Sequence, residues 1–142
     1  MTQARFSIYI GVSVYKDQGA IGIAVYDDTQ TLSDSYSQLI DRPTDSAELE
    51  LIACIEGLRY AIDGDVIYSS SDFCVRGYNE WLDDWKRRGW RKSDKKPVAN
   101  RQLWQQVDEE RSRKLVDVCK RRSSPELDFA YQLAKGLWAE NK

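Results

Sequence analysis

Between Arg5 and Tyr26 the chain reads RFSIYIGVSV, then a break at Lys16-Asp17-Gln18, then GAIGIAVY. Two apolar, β-branched runs separated by so short a polar turn pair as a hairpin. Asp27-Asp28 supplies the next turn, and Thr31 to Ile40 alternates loosely enough to be a third, more exposed strand. Three antiparallel strands therefore open the chain.

Pro43-Thr44-Asp45-Ser46 then carries helix-start chemistry, with Asp45 and Glu48 spaced as a capping box. Leu49, Ile52 and Ile55, with Leu51 and Leu58 alongside, share one stripe of a helix running to about Asp63. Asp65 to Ser70 reads as a short strand. Asp72 to Arg88 resumes helical spacing, with Trp81 and Trp85 four residues apart. After a loop from Gly89 to Ala99 come a short helix over 100–110, a strand over 114–119, and a closing helix over 125–140 with proline in its first turn. That order predicts a mixed α/β sheet. Neither a repeat nor a linker interrupts it, and 142 residues with 42% apolar side chains fit a single domain over 1–142.

Histidine is absent, which excludes Ser-His-Asp and Cys-His triads, imidazole-ligated zinc or haem, and imidazole acid/base catalysis. Cys54, Cys74 and Cys119 have no zinc spacing and sit in apolar surroundings, so they read as reduced core thiols of a cytoplasmic protein. We expect neither a signal peptide nor a membrane span. The formal charge is only −2, but it is unevenly spread. Residues 86–101 hold eight basic side chains against Asp94 alone, and residues 111–122 hold six against Asp117. Local charges of +7 and +5 on an otherwise acidic chain form the footprint of a phosphate-backbone binder.

The stretch Trp81-Leu-Asp-Asp-Trp85-Lys-Arg-Arg-Gly-Trp90-Arg-Lys-Ser-Asp-Lys95-Lys96-Pro97-Val98-Ala-Asn100-Arg-Gln-Leu103-Trp104 closely resembles the basic handle of bacterial type 1 ribonuclease H. Leu49-Glu50-Leu51-Ile52-Ala53 is similar to that family's first-helix motif. The resemblance implies a ribonuclease H-like fold: a five-stranded mixed sheet, three antiparallel strands then two further strands, with helices on both faces and a basic handle at about 81–101. It also implies cleavage of the RNA strand of an RNA-DNA hybrid by magnesium ions held on four carboxylates.

Carried over position by position, those carboxylates fall on Gly11, Glu50, Ser71 and Tyr131, so Glu50 alone is retained. The glycine-rich loop after the first strand is shortened, and the two substrate-holding Asn before the helix Glu become Ser46 and Ala47. The mobile His loop becomes Lys120 to Ser124. A magnesium ion wants several anionic oxygens at about 2.1 Å in octahedral geometry, which one carboxylate does not supply. The expectation is a catalytically degenerate homologue with no metal cofactor. Magnesium or manganese enters only if Asp72, Asp128, Asp17 or Asp27 rebuilds the site. Asp72 does so only if the strand before it has already ended, since neighbours on a strand face opposite ways.

Trp81, Trp85, Lys86, Arg87, Arg88, Trp90, Arg91, Lys95, Lys96 and Asn100 are the candidate nucleic-acid contacts. Aromatic faces take bases and sugars while cations meet phosphates. The plainer alternatives are that the Trp residues, with Trp104, only pack the handle helix, that the charges are a solvated face, and that Glu50 is a surface helix acid. Asp83 and Asp84 oppose phosphate where they stand between two Trp residues. Three functions follow: an inactive binder of RNA-DNA hybrid or another nucleic acid, a mimic that engages a protein partner of ribonuclease H, or a hybrid nuclease with a rebuilt site. A degenerate homologue of this kind suits a phage or mobile element.

Overall fold

The structure is a computed structural model that describes residues 5–16 and 18–140, with side chains through Trp138. Strands β1 (Ser7–Tyr15), β2 (Gln18–Tyr26) and β3 (Leu32–Ile40) form an antiparallel meander. Helix α1 (Ser46–Tyr60) leads to β4 (Val66–Ser69), which lies parallel to β1. Next come α2 (Asp72–Arg76), one wider π turn (Gly77–Trp81), α3 (Leu82–Arg87) and α4 (Arg101–Arg113). Strand β5 (Asp117–Lys120) adds parallel to β4, and α5 (Pro125–Glu140) closes the chain. The sheet order is β3-β2-β1-β4-β5. The meander and the mixed sheet agree with the sequence reading.

The two faces of β1 sort the layers. Ile8 and Ile10 pack with Ile21, Ile23 and Val25 beneath Leu51, Cys54, Ile55 and Leu58 of α1. Tyr9 faces the other way, with Ala24, under Leu127 and Ala130 of α5. Alternation along the strand thus feeds two cores. Asp45 caps α1 by accepting from Glu48 N at 2.8 Å, as its spacing predicts.

Several boundaries differ from the sequence reading. Helix α1 stops at Tyr60 rather than near Asp63, because the buried Asp65 carboxylate accepts from Ile62 N and Phe6 N and draws the chain into β4. The 72–88 helix is not continuous. Arg111 Nη1 binds the Tyr78 carbonyl at 3.2 Å, and Asn79 Nδ2 reaches Val75 O and Val118 O, so the local ladder widens into the π turn. Helix α4 begins at Arg101 and runs to Arg113, beyond residue 110. Strand β5 starts at Asp117 rather than 114, since Lys114 Nζ is held by Leu58 O and Arg59 O and Leu115 N by Asp63. Cys54 and Cys74 are buried as expected, but Cys119 is exposed. On the edge strand β5 it is Val118 that points into the core, leaving its neighbour on the uncovered side.

Candidate nucleic-acid interface

Handle geometry begins at Trp104, fully buried on α4. Its ring lies against the π turn at Gly77, where any Cβ would overlap the indole, so this approach requires glycine. Phe73 and Trp85 meet the same indole edge-on, each with centroids 5.3 Å away, and Trp81 tilts against Trp85 at 5.7 Å. These rings line an open groove of about 480 Å³ whose rim carries Asp84, Arg88 and Lys92. The packing reading holds for Trp104, which is core, while Trp81 and Trp85 are half-buried and present surface to the groove.

Beyond α3 the handle is a loop closed by an Arg91–Pro97 bridge, with Trp90 N donating to Trp85 O at 2.6 Å and Val98 N to Trp90 O at 3.2 Å. Buried Val98 anchors it, and Trp90 packs half-buried on the core. Arg91 Nη1 donates to Lys95 O and Lys96 N to Asp94, which shape the tip. Lys86 pairs with Asp108 at 3.1 Å and Arg87 with Asp84. Among the described residues Arg88, Arg91, Lys92, Lys95 and Lys96 have no acidic partner. Within the handle, the unneutralised positive charge therefore lies on the groove rim and the loop tip.

The structure does not unite all ten sequence candidates. Asn100, at the left-handed start of α4, lines a separate groove with Arg42, Arg101 and Gln106. In the basic run 111–122, three of the six basic side chains are paired with acids. Arg111 pairs with Asp83 and Asp108, Arg113 with Glu109, and Lys120 with Asp72, while Arg121 stacks 4.1 Å over the Tyr68 ring. Phe73, Lys92 and Trp104 belong to the groove without having been candidates for it. Lys92 was legible as part of the basic run; Phe73 arrives only through the tertiary fold.

The four positions matched to the family's carboxylates are also placed. Gly11 on β1 stands in register with Gly22 on β2, and α5 settles into the notch they make. A Cβ at Gly11 would lie 2.5 Å from Tyr131 N and 2.7 Å from its Cα, and one at Gly22 would overlap the Ala130 carbonyl oxygen. Ser71 caps α2, accepting from Cys74 N at 3.2 Å. Tyr131 is exposed on the outside of α5. Glu50 is not the surface acid of the plainer reading: it is recessed beside Ser69 and Cys74, and burial pushes its carboxyl up to about 7 against a smaller opposing pull from the Ser69 hydroxyl.

Of the substitute carboxylates, Asp72 and Asp27 are engaged in other contacts and Asp128 is exposed. Strand β4 does end before Asp72, as its substitution would require, yet Asp72 faces Lys120 and Arg76. Asp128 is exposed on α5. Asp27 accepts from Thr29 N, Thr29 Oγ1 and Thr31 N in its turn, which hold its carboxyl below the usual range. Asp17 lies outside the described residues. Among the described residues no group of three or more Asp, Glu or Cys side chains is placed to hold a metal, and no helix is long and apolar enough to cross a membrane.

Comparison with known proteins agrees with this architecture. The RNase H family model matches residues 5–120. The ribonuclease H of Bordetella pertussis strain Tohama I is 47% identical over 79 residues, 54% of this chain and 50% of that protein. That of Pseudomonas putida strain W619 is 40% identical over 79 residues, 54% of this chain and 53% of that one. The chain's matches thus span about half the length of these curated relatives. Among solved structures, LC9-RNase H1, a type 1 RNase H with the type 2 active-site motif, superposes with a TM-score of 0.80 at 20% identity, covering 100% of this chain and 75% of that one. LC11-RNase H1, solved in complex with an RNA/DNA hybrid, gives 0.69 at 14% identity over 93% and 95%. With a family match across most of its length and the same sheet order, this chain belongs to the type 1 RNase H family.

Proposed function

We propose that this protein binds nucleic acid, RNA-DNA hybrid included, through its handle and leaves it uncut, the 142 residues acting as one unit. The observation that carries the binding half is the groove of four aromatic rings rimmed by Arg88 and Lys92, neither of which has an acidic partner among the described residues. Stacking surface and free cations together are what a strand needs: rings meet sugars or bases, and cations release counterions from phosphates. The related LC11 enzyme held on an RNA/DNA hybrid supports the choice of ligand class.

The second half rests on the Gly11–Gly22 notch. In the family the metal ions supply Lewis acidity to the cleaved phosphate. Here the residues do not fit such ions. Positions 11, 71 and 131 offer no carboxylate, the space beyond Gly11 is filled by the α5 backbone, and Glu50 is a lone carboxyl whose surroundings favour its protonated form.

The binding half is tested by electrophoretic mobility shift on a labelled hybrid at 50 and 200 mM salt, with Arg88→Ala/Lys92→Ala alongside. We expect affinity to fall at least tenfold with salt, and the double variant to bind more weakly with a shallower salt dependence. Equal binding by the variant at both salts would sink the handle as the contact surface.

A further inference from the structure

The groove holds one feature that a phosphate channel does not call for, the carboxylate of Asp84. Its neighbour Asp83 turns away to Arg111, 2.7 Å from the guanidinium, but Asp84 lines the groove among the rings. Its partner Arg87 is an exposed i,i+3 neighbour, the kind of pair that exchanges readily with another donor.

A carboxylate among aromatic faces repels a phosphodiester and accepts from the N–H edge of a base. Resting on the reading above, we propose that the groove takes one unpaired nucleobase of a bound strand, with guanine preferred, rather than the sugar-phosphate backbone of a duplex. Guanine alone among the common bases presents two adjacent donor groups, N1–H and N2–H, to one carboxylate. Uracil and thymine present a single N–H between two carbonyls, which a carboxylate repels. The base would stack on Trp85 or Trp81, Asp84 would accept from its donor edge, and Arg88 and Lys92 at the rim would meet the adjoining phosphates. Such a base occurs at single-stranded ends, overhangs and bulges, so the favoured ligand is a strand with an unpaired segment.

The test uses the full chain and three fluorescein-labelled probes of about twelve nucleotides, a length that suits a single-strand site: all-thymine DNA, the same strand with one central guanine, and a blunt RNA-DNA hybrid. Anisotropy gives affinity and tryptophan quenching reports stacking. We expect the guanine strand to bind about tenfold more tightly than all-thymine, the size of discrimination one bidentate base contact supplies. Asp84→Asn and Asp84→Ala should abolish that ratio while all-thymine binding holds or strengthens, since a phosphate-repelling charge is gone. Because Asp84 is half-exposed, both variants should melt like the parent. Equal affinity for the two single strands, or a ratio that survives both substitutions, overturns the proposal and leaves hybrid binding standing. Failure of all three probes to bind overturns both readings.

Discussion

Replacing Gly11 by Ala tests the closure of the sheet by α5 with a single methyl group. The added Cβ would stand 2.5 Å from Tyr131 N, about 1 Å inside ordinary contact, and its neighbours there are backbone atoms of a sixteen-residue helix rather than a flexible side-chain end. Overpacking of this kind costs about 1–3 kcal/mol or more. Alanine also restricts the unfolded chain, which offsets about 0.4–1 kcal/mol. With backbone overlap putting the cost at the upper end of that range, the net expectation is a loss of about 1–2.5 kcal/mol in urea unfolding followed by tryptophan fluorescence, or roughly 3–10 °C in melting temperature. Gly136, on the same helix, is the internal control, because a Cβ there meets nothing within 4 Å. Gly136→Ala should raise stability by about 0.5–1 kcal/mol through helix propensity. If Gly11→Ala matches the parent to within about 0.5 kcal/mol, α5 does not occupy the notch and the reasoning fails.

Glu50 should titrate near pH 7 by carboxyl NMR. Its folded value is raised above the unfolded one, so stability falls as pH rises from about 4.5 to 7 and stays lower above that; Glu50→Gln should therefore gain about 1–3 kcal/mol over the parent at pH 8 and nothing at pH 4. Lys86→Ala should weaken hybrid binding less than Arg88→Ala in the same mobility-shift assay, because Lys86 is already neutralised by Asp108 at 3.1 Å. A thiol reagent such as DTNB should label Cys119 at once in the native protein, while Cys54 and Cys74 should react only after unfolding, and rapid labelling of all three would contradict the core placement.

Period and turn chemistry carried most of the fold in the sequence. The β1–β2 hairpin and the Asp45 cap are local devices, and local devices are readable without a structure. The misplaced boundaries all depend on distant partners. Asp65 ends α1 through Phe6, Arg111 opens the π turn at Tyr78, and Lys114 delays β5 by reaching Leu58. For the site, the basic run and Trp81 and Trp85 were legible from spacing. The sequence does not reveal which charges are neutralised: Lys86 on α3 loses its own to Asp108 on α4, and Arg111 on α4 is met by Asp83 on α3. Nor does it reveal the burial of Glu50, which follows from α1 packing against β4 and α2. Gly11 looked like a missing ligand, and only its register with Gly22 gives it a packing role.

The most direct measurement is a cleavage assay on one labelled RNA-DNA hybrid with Mg²⁺ and with Mn²⁺, at a protein concentration that saturates binding by mobility shift, with Glu50→Gln in parallel. We expect a salt-sensitive complex and intact RNA with either metal. Cleavage by the parent that Glu50→Gln abolishes would mean that a metal centre has been rebuilt around Glu50, and the central claim would be wrong.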